Sequence, residues 1–305
     1  MLHKHTILSR LKEMIMKTKL LLYLFIGFYS LSNLAQTPKT FNSDDTFTVP
    51  GGVSEITIEA WGGGGAGGTA TSGAAGGGGS GAYSKSTITV TPGDKFSITV
   101  GSGGTTDNGG VGSSEVNGEE SKVTDANDAS DVKVLAKGGN STDGGLNDPD
   151  GAPGGSVTGA VGKDVKSPGN DGADATPKQT PTESGKGGSA PNGGAGGASV
   201  KVSDDLPGED GTSPGGGGSG AASNSGELGG AGANGRVVIT YTRIIQNTSG
   251  DFDVASNWNN GVLPSPTGDN FGAIDEGVIS TLTGNESINY LTLENNSKIE
   301  LGSNN

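Results

Sequence analysis

The sequence predicts an all-β fold, and three observations support this prediction. Apolar residues recur with a period of two wherever a pattern is visible after residue 36, which is typical of strands that bury one face. The chain has 60 glycines, of which 52 lie between Gly51 and Gly235, and glycine is costly inside a helix. These glycines are clumped and alternate with the strand patterns, so we expect short strands joined by glycine-rich loops.

The first element along the chain is a predicted secretory signal peptide over residues 1–35. An uncharged apolar run, Leu20–Leu31, follows two lysines, and this order matches the charged and apolar regions of a signal peptide. The run is short for a bilayer span, and cleavage after Ala35 would make Gln36 the mature N-terminus. A retained anchor helix is the alternative. We expect a secreted or cell-surface protein with no integral membrane span after cleavage.

The charge and composition of the mature chain exclude several classes of function. Removing residues 1–35 takes away five of 19 basic and one of 33 acidic residues, so the net charge changes from −14 to −18. This charge repels nucleic acid and anionic lipid. The chain has no Cys, and both histidines, His3 and His5, lie in the signal segment. Catalytic Ser-His-Asp or Cys-His arrangements, the usual zinc sites and disulfides are therefore excluded.

Seven segments of the mature chain have strand patterns. They are Phe47–Val49, Val53–Trp61, Thr87–Thr91, Lys95–Val100, Val132–Ala136, Ser199–Val202 and Val237–Tyr241. In the second segment Ile56, Ile58 and Ala60 share one side of the strand, whereas Trp61 lies on the other. Pro92, Gly93 and Asp94 separate the third segment from the fourth and supply turn residues, which predicts a hairpin.

Three of these regions resemble a known family. Phe47–Gly51, Ile56–Gly65 and Gly232–Tyr241 are similar to the glycine-rich domain of phage tail-fibre tips and of bacterial secreted surface proteins. The resemblance implies a β-sandwich over residues 36–243 whose long loops contain left-handed polyglycine II helices. Such helices have three residues per turn and no internal hydrogen bonds, so they must bond to one another. Residues 138–189 are poorer in glycine, which leaves open whether that stretch is packed or disordered.

The composition changes again over residues 244–305, where glycine thins out and asparagine rises. The stretch from Gly250 to Asp269 is similar to a module of bacterial secreted proteins that leads into a right-handed parallel β-helix. The resemblance implies that the following apolar positions form the first coils; these are Ile274, Val278, Ile279, Ile288, Leu291, Leu293, Ile299 and Leu301. A solenoid needs several coils. Two readings stay open: a fragment of a longer chain, or final strands that await a partner.

Some glycines and acidic residues have the composition of cofactor-binding motifs, but their spacing and surroundings do not match those motifs. Gly62, Gly64 and Gly67 have the spacing of a dinucleotide fingerprint, but no helix pattern follows them, and the chain has no P-loop. Calcium is the only metal for which the ligand type is suitable. The candidate clusters are 125–131, 143–151 and 204–210, and none has the spacing of an EF-hand or a calcium solenoid. We expect solvated acids and no cofactor.

The sequence predicts a secreted or surface-displayed structural and adhesive protein without catalysis, in which polar loop tips contact a surface glycan or a protein. The predicted contact residues are Thr105, Thr106, Asp107, Asn108, Asn140, Asp143 and Trp258, the last of which offers an aromatic ring for sugar stacking. The alternative is the N-terminal part of a secreted carbohydrate-active enzyme whose catalytic β-helix lies beyond Asn305. Continuation of the reading frame into many coils with aligned acids would favour the enzyme.

Overall fold

The computed structural model describes residues 37–106, 116–142, 148–259, 263–264, 272–282 and 291–301. The described part is all-β, as predicted, and its only helices are two 3-10 helices of three residues each, at Val202–Asp204 and Ala255–Asn257. None of the helices in these ranges has the length and apolar character to cross a membrane. The predicted signal peptide lies outside the described residues.

The strands are short and are numbered in chain order. They are β1 (Thr37–Phe41), β2 (Asp45–Thr48), β3 (Glu55–Trp61), β4 (Gly73–Ala74), β5 (Tyr83–Thr89), β6 (Lys95–Thr99), β7 (Ser121–Asp125), β8 (Val132–Ala136), β9 (Val165–Ser167), β10 (Ala222–Ser223), β11 (Arg236–Tyr241), β12 (Ile245–Gln246), β13 (Gly250–Asp251), β14 (Gly272–Ile274), β15 (Ile279–Leu282), β16 (Leu291–Leu293) and β17 (Lys298–Leu301).

Two antiparallel sheets supply the main hydrophobic core. One has the strand order β1-β11-β3-β5-β9 and the other the order β2-β6-β7-β8. Their alternating apolar side chains belong to one cluster, which includes Ile58 and Ile239 from the first sheet and Phe96 and Val123 from the second. Burial of each such side chain stabilises the fold by about 1.5–3 kcal/mol. On the opposite side of β3, Trp61 packs against Tyr83 at 5.0 Å between ring centroids, as the alternation predicts.

The hairpin predicted around Gly93 is wrong. Strand β5 pairs with β3 and β9, whereas β6 pairs with β2 and β7. The turn is present, since Asp94 donates its N–H to Thr91 O at 3.0 Å, but it carries the chain from one sheet to the other. Alternating apolar residues identify the buried face of a strand and do not identify its neighbour, so the pattern was compatible with either arrangement.

The strand predicted at Ser199–Val202 is also wrong. Lys201 forms a single bridge to Glu183, and a 3-10 helix begins at Val202. The buried residue of this segment, Val200, belongs to a small cluster of alanines outside the main core. The alternation therefore reflects packing against irregular segments. Seven strands lacked a predicted counterpart: β1, β4, β7, β9, β10, β12 and β13.

Most of the glycine-rich sequence forms one bundle of extended segments, here called the glycine bundle. Its segments are 62–70, 75–82, 101–104, 116–119, 137–142, 151–155, 169–174, 184–188, 194–197, 208–212, 215–221 and 227–235. They bond to one another, both between consecutive segments and between segments far apart in the sequence. Extended backbone has no hydrogen-bond partner within its own segment, so buried N–H groups require these neighbours.

The bonds of the glycine bundle repeat every three residues. From segment 62–70 to segment 75–82 the donor–acceptor pairs are Gly62–Ala82, Gly65–Gly79 and Gly68–Gly76. From the same segment to 227–235 the pairs are Gly64–Ala233, Gly67–Gly230 and Ala70–Glu227. A third direction is used by Gly63, which donates to Glu119 O at 2.9 Å. Segment 62–70 therefore donates its N–H groups in three directions, as expected for three residues per turn.

Glycine is required in the bundle because backbones lie directly against each other. A Cβ placed on Gly64 would overlap the carbonyl oxygen of Gly216, and a Cβ on Gly229 would overlap that of Gly67. Residues 138–189 take part in this packing where they are described. For example, Asn140 donates its N–H to Pro153 O, and Gly188 donates to Gly78 O. These described parts are packed, which answers the question that the composition left open.

After β11 the chain forms two short parallel ladders, β12-β14-β16 and β13-β15-β17. The predicted apolar positions 274, 279, 291, 293, 299 and 301 lie in these strands, and Ile288 lies outside the described residues. Ile274 is fully buried, and Phe252 packs edge-on against Trp258 with ring centroids 5.0 Å apart. These residues form a second, smaller interior.

Candidate contact surface

The bases of the two predicted contact loops meet at one edge of the glycine bundle. The first loop leaves the bundle at Thr105 and returns at Val116, where the Val116 N–H donates to Thr105 O at 3.1 Å. The second leaves after Asn140 and Ser141. Since Ser141 Oγ donates to Val116 O at 2.7 Å, the structure brings together two loops that are separated by about thirty positions in the sequence.

Ser141 is the residue that joins the two loops. It is buried, and its Oγ accepts the N–H of Ala66 at 2.8 Å while donating to Val116 O. Its own N–H donates to Asn117 Oδ1 at 2.7 Å. A hydroxyl that both donates and accepts satisfies backbone groups that would otherwise be buried without partners. The sequence analysis did not predict this role, because no pattern around Ser141 indicates it.

Only some of the predicted contact residues of these loops lie within the described ranges. Thr105 and Asn140 are exposed, and Thr106 is half-buried. Asp107, Asn108 and Asp143 lie outside the described residues. Val116 is 55% exposed, so an apolar side chain stands beside the polar ones. The described part of the surface is uncharged, with two threonine hydroxyls and one amide available to a ligand.

Trp258 lies elsewhere and does not belong to this surface. Its side chain is 2% exposed, and its Nε1–H donates to Phe252 O at 2.7 Å. The ring packs against Phe252 in the interior of the parallel ladders. A ring that stacks on a sugar needs an exposed face, so the aromatic contact expected at this position has no accessible surface in the structure.

Carboxylates on the rim of the glycine bundle have a role that the sequence analysis did not assign. Asp171 and Asp174 each accept a backbone N–H, from Gly154 at 2.8 Å and from Gly151 at 2.9 Å. Their spacing of three matches the spacing of the two glycines. The N–H of Gly151, followed by the ammonium group of Lys178, holds the pKa of Asp174 below its usual value. These carboxylates therefore act as hydrogen-bond acceptors for backbone N–H groups at the rim of the bundle.

The acidic clusters that were considered as calcium candidates largely accept hydrogen bonds from the protein's own donors. Asp128 accepts the N–H and the hydroxyl of Ser130, and Asp150 pairs with Lys178 at 2.7 Å. Asp205 accepts from Ser223 Oγ, Asn224 N and Ser225 Oγ, which lowers its pKa to about 2. Within the described ranges, no group of three His, Cys, Asp or Glu residues is arranged to hold a metal ion.

The fold defines a class of all-β protein in which a hydrogen-bonded glycine bundle carries surface loops. The chain belongs to the glycine-rich domain family, whose model matches residues 37–242. A comparison with curated protein sequences finds no match. The matched region contains both sheets of the main core and the whole glycine bundle.

Proposed function

We propose that this chain is an exported structural and adhesive protein of the cell surface. In this proposal the two antiparallel sheets form a β-sandwich, the glycine bundle is built from polyglycine II helices, and the loops that meet at Ser141 contact a glycan or a protein. The observation that carries the proposal is the joint at Ser141, because it fixes the bases of two polar loops side by side on a tightly packed support.

A packed support favours display because it lowers the cost of binding. Loops held at their bases lose less conformational freedom when a ligand binds than loops on a flexible linker. The exposed Thr105 and Asn140 offer hydroxyl and amide groups of the kind that recognise sugars and peptides. With a mature charge of −18, the chain does not suit nucleic acid or anionic lipid as a partner. No cofactor and no catalysis enter this proposal.

Binding to a glycan array and to immobilised surface proteins tests the contact role. Replacement of Thr105, Thr106 and Asn140 together by alanine should abolish the binding seen with the unchanged chain. The matched control is Thr158→Ala with Asn224→Ala, because both of those residues are exposed away from the Ser141 joint. Equal binding by the two variants would show that the contact surface lies elsewhere, and no binding by the unchanged chain would count against adhesion.

Export is tested separately by the intact mass of the protein recovered from the culture medium or cell surface. The proposal expects a chain that begins at Gln36 or within a few residues of it. A retained N-terminus would contradict the predicted cleavage after Ala35.

The parallel ladders favour a second candidate function. In this alternative they are the first coils of a β-helix that continues after Asn305 into a carbohydrate-active enzyme. Two carboxylates on successive coils are sufficient for glycosidase chemistry, which needs no histidine. The coding sequence after Asn305 distinguishes the two, since ten or more further coils with aligned acids would favour the enzyme. A stop codon would favour the structural protein.

A further inference from the structure

Strand β17 has an open edge. It is the outermost strand of the ladder β13-β15-β17, and no other strand in the described ranges pairs with its outer side. Lys298 donates its N–H to Val278 O at 3.0 Å, toward β15. Because backbone groups alternate between the two sides of a strand, the N–H and C=O of Ile299 point to the open edge.

The same end of the ladders leaves inward-facing apolar side chains uncovered. Ile299 stands in register with Ser280, which is fully buried, yet Ile299 is 39% exposed. Leu293 of β16 stands in register with Ile274, also fully buried, yet Leu293 is 51% exposed. Both therefore lie on the interior face of their ladder, and no strand in the described ranges covers them. An exposed apolar edge of this kind is a surface for strand pairing.

The charges on β17 are complementary to a second copy of the same strand. Lys298 and Glu300 flank Ile299, and both are exposed. In an antiparallel pair centred on Ile299, each Lys298 would stand opposite Glu300 of the second copy. These positions are non-hydrogen-bonded pairs, in which the Cα atoms approach to about 4.5 Å and side chains are closest. Opposite charges in such pairs stabilise the pairing.

We propose that two copies of this chain associate by antiparallel pairing of β17 about a two-fold axis at Ile299. Each Ile299 donates its N–H to the carbonyl oxygen of the other Ile299, and two Lys298–Glu300 pairs flank these two hydrogen bonds. The association covers Ile299 and completes the open edge with a strand of the same sequence. The proposal concerns assembly and is independent of the contact role proposed for the Ser141 loops.

Charge reversal tests the register directly. In Lys298→Glu, both flanking pairs become Glu opposite Glu; in Glu300→Lys, both become Lys opposite Lys. Each variant alone should dissociate at least about tenfold more readily than the unchanged dimer, as measured by sedimentation equilibrium of the full chain. An equimolar mixture of the two variants places Glu opposite Lys at both positions, so it should restore the dimer.

Matched controls and a variant-free measurement complete the test. Glu276→Lys and Lys163→Glu make the same charge changes at exposed positions outside β17, and they should leave dimerisation unchanged. In the unchanged chain, the Ile299 amide should become more protected from hydrogen exchange as the protein concentration rises. A chain that stays monomeric, with an Ile299 amide that exchanges freely at every concentration, would overturn the proposal and assign the edge to a further coil or to another protein. A dimer that both variants leave intact would also overturn it.

Discussion

Arg243 Nη2 donates to Glu294 Oε1 at 2.6 Å, and both side chains are about two-thirds buried. Arg243 follows β11 and Glu294 follows β16, so this ion pair joins the matched glycine-rich region to the parallel ladders. The same guanidinium donates through Nε to Gly51 O at 2.9 Å. Asn259 holds the backbone that follows this arginine, by donating to Arg243 O and accepting from Ile245 N. The junction is therefore held by side chains as well as by the continuous chain.

Replacement of Arg243 should loosen this junction. Arg243→Ala removes two charge-assisted hydrogen bonds and should lower the free energy of unfolding by about 1.5–3 kcal/mol. Glu294→Gln removes only the charge of the acceptor and should cost about 0.2–1 kcal/mol. Lysine presents one compact charge and cannot reproduce the two-directional geometry of the guanidinium, so Arg243→Lys should resemble Arg243→Ala more than the unchanged chain.

Urea unfolding and limited proteolysis measure this effect. With Arg243→Ala, proteases should cleave near residue 243 faster than in the unchanged chain. The control is Arg236→Ala, since that guanidinium bonds to Asn42 and Ser213 on the other side of the matched region. If both arginine variants behave alike, the Arg243 contacts do not hold the junction.

Local patterns predicted several of the strands and their buried faces, but they did not predict which strands pair with each other. The alternation around Ile58 correctly placed Trp61 on the opposite side of β3. It could not show that β5 and β6 enter different sheets, because both arrangements bury Ile88 and Phe96. The same limit applies to the glycine bundle, where the sequence indicates a period of three but does not identify the neighbours of each segment.

The candidate contact surface was predicted in part for the same reason. Polar residues at the loop tips were recognisable from composition, whereas the joint at Ser141 depends on Ala66 and Val116, which are distant in sequence. The burial of Trp258 follows from contacts with Phe252, and the Asn-rich surroundings in the sequence gave no indication of them. The rim carboxylates Asp171 and Asp174 carry a weak signal, their spacing of three, that becomes meaningful only beside Gly151 and Gly154.

Asp205 should make stability depend on pH in the acid range. Hydrogen bonds from Ser223, Asn224 and Ser225 lower its pKa from 3.8 to about 2. The folded chain therefore binds this proton more weakly than the unfolded chain, so the stabilisation is complete above pH 3.8 and is lost as the pH falls toward 2. Asp205→Asn should remove this contribution, and thermal melts between pH 5 and 2 compare the two chains. A carboxyl titration by NMR with a midpoint near 3.8 would contradict the expectation.

Calcium should have little effect on the melting temperature. The described carboxylates of the candidate clusters accept bonds from protein donors, as Asp128 does from Ser130 and Asp150 from Lys178. Binding with a dissociation constant of about 10 μM would add roughly 2.7 kcal/mol at about 1 mM calcium, which a melt detects easily. Magnesium at the same concentration is the control for a general ionic effect. A large rise with calcium alone would show a site that these contacts do not reveal.

Substitution of glycines in the bundle tests whether its packing determines stability. Gly64→Ala, Gly194→Ala and Gly229→Ala each place a methyl group against a backbone carbonyl oxygen, those of Gly216, Thr212 and Gly67. Gly→Ala ordinarily stabilises by about 0.4–1 kcal/mol through the unfolded chain. Here the overlap should dominate and cost about 1–3 kcal/mol or more, as in other overpacked interiors.

The matched control for these variants is Ala195→Ser, because Ala195 lies in the same segment as Gly194 and its side chain is exposed. A segment that tolerates a larger side chain at position 195 but no Cβ at 194 must pack with one face inward, as three residues per turn require. Urea melts of the full chain measure all four variants. If the three glycine variants melt with the unchanged chain, the segments do not pack as described, and they would act only as spacers between the strands.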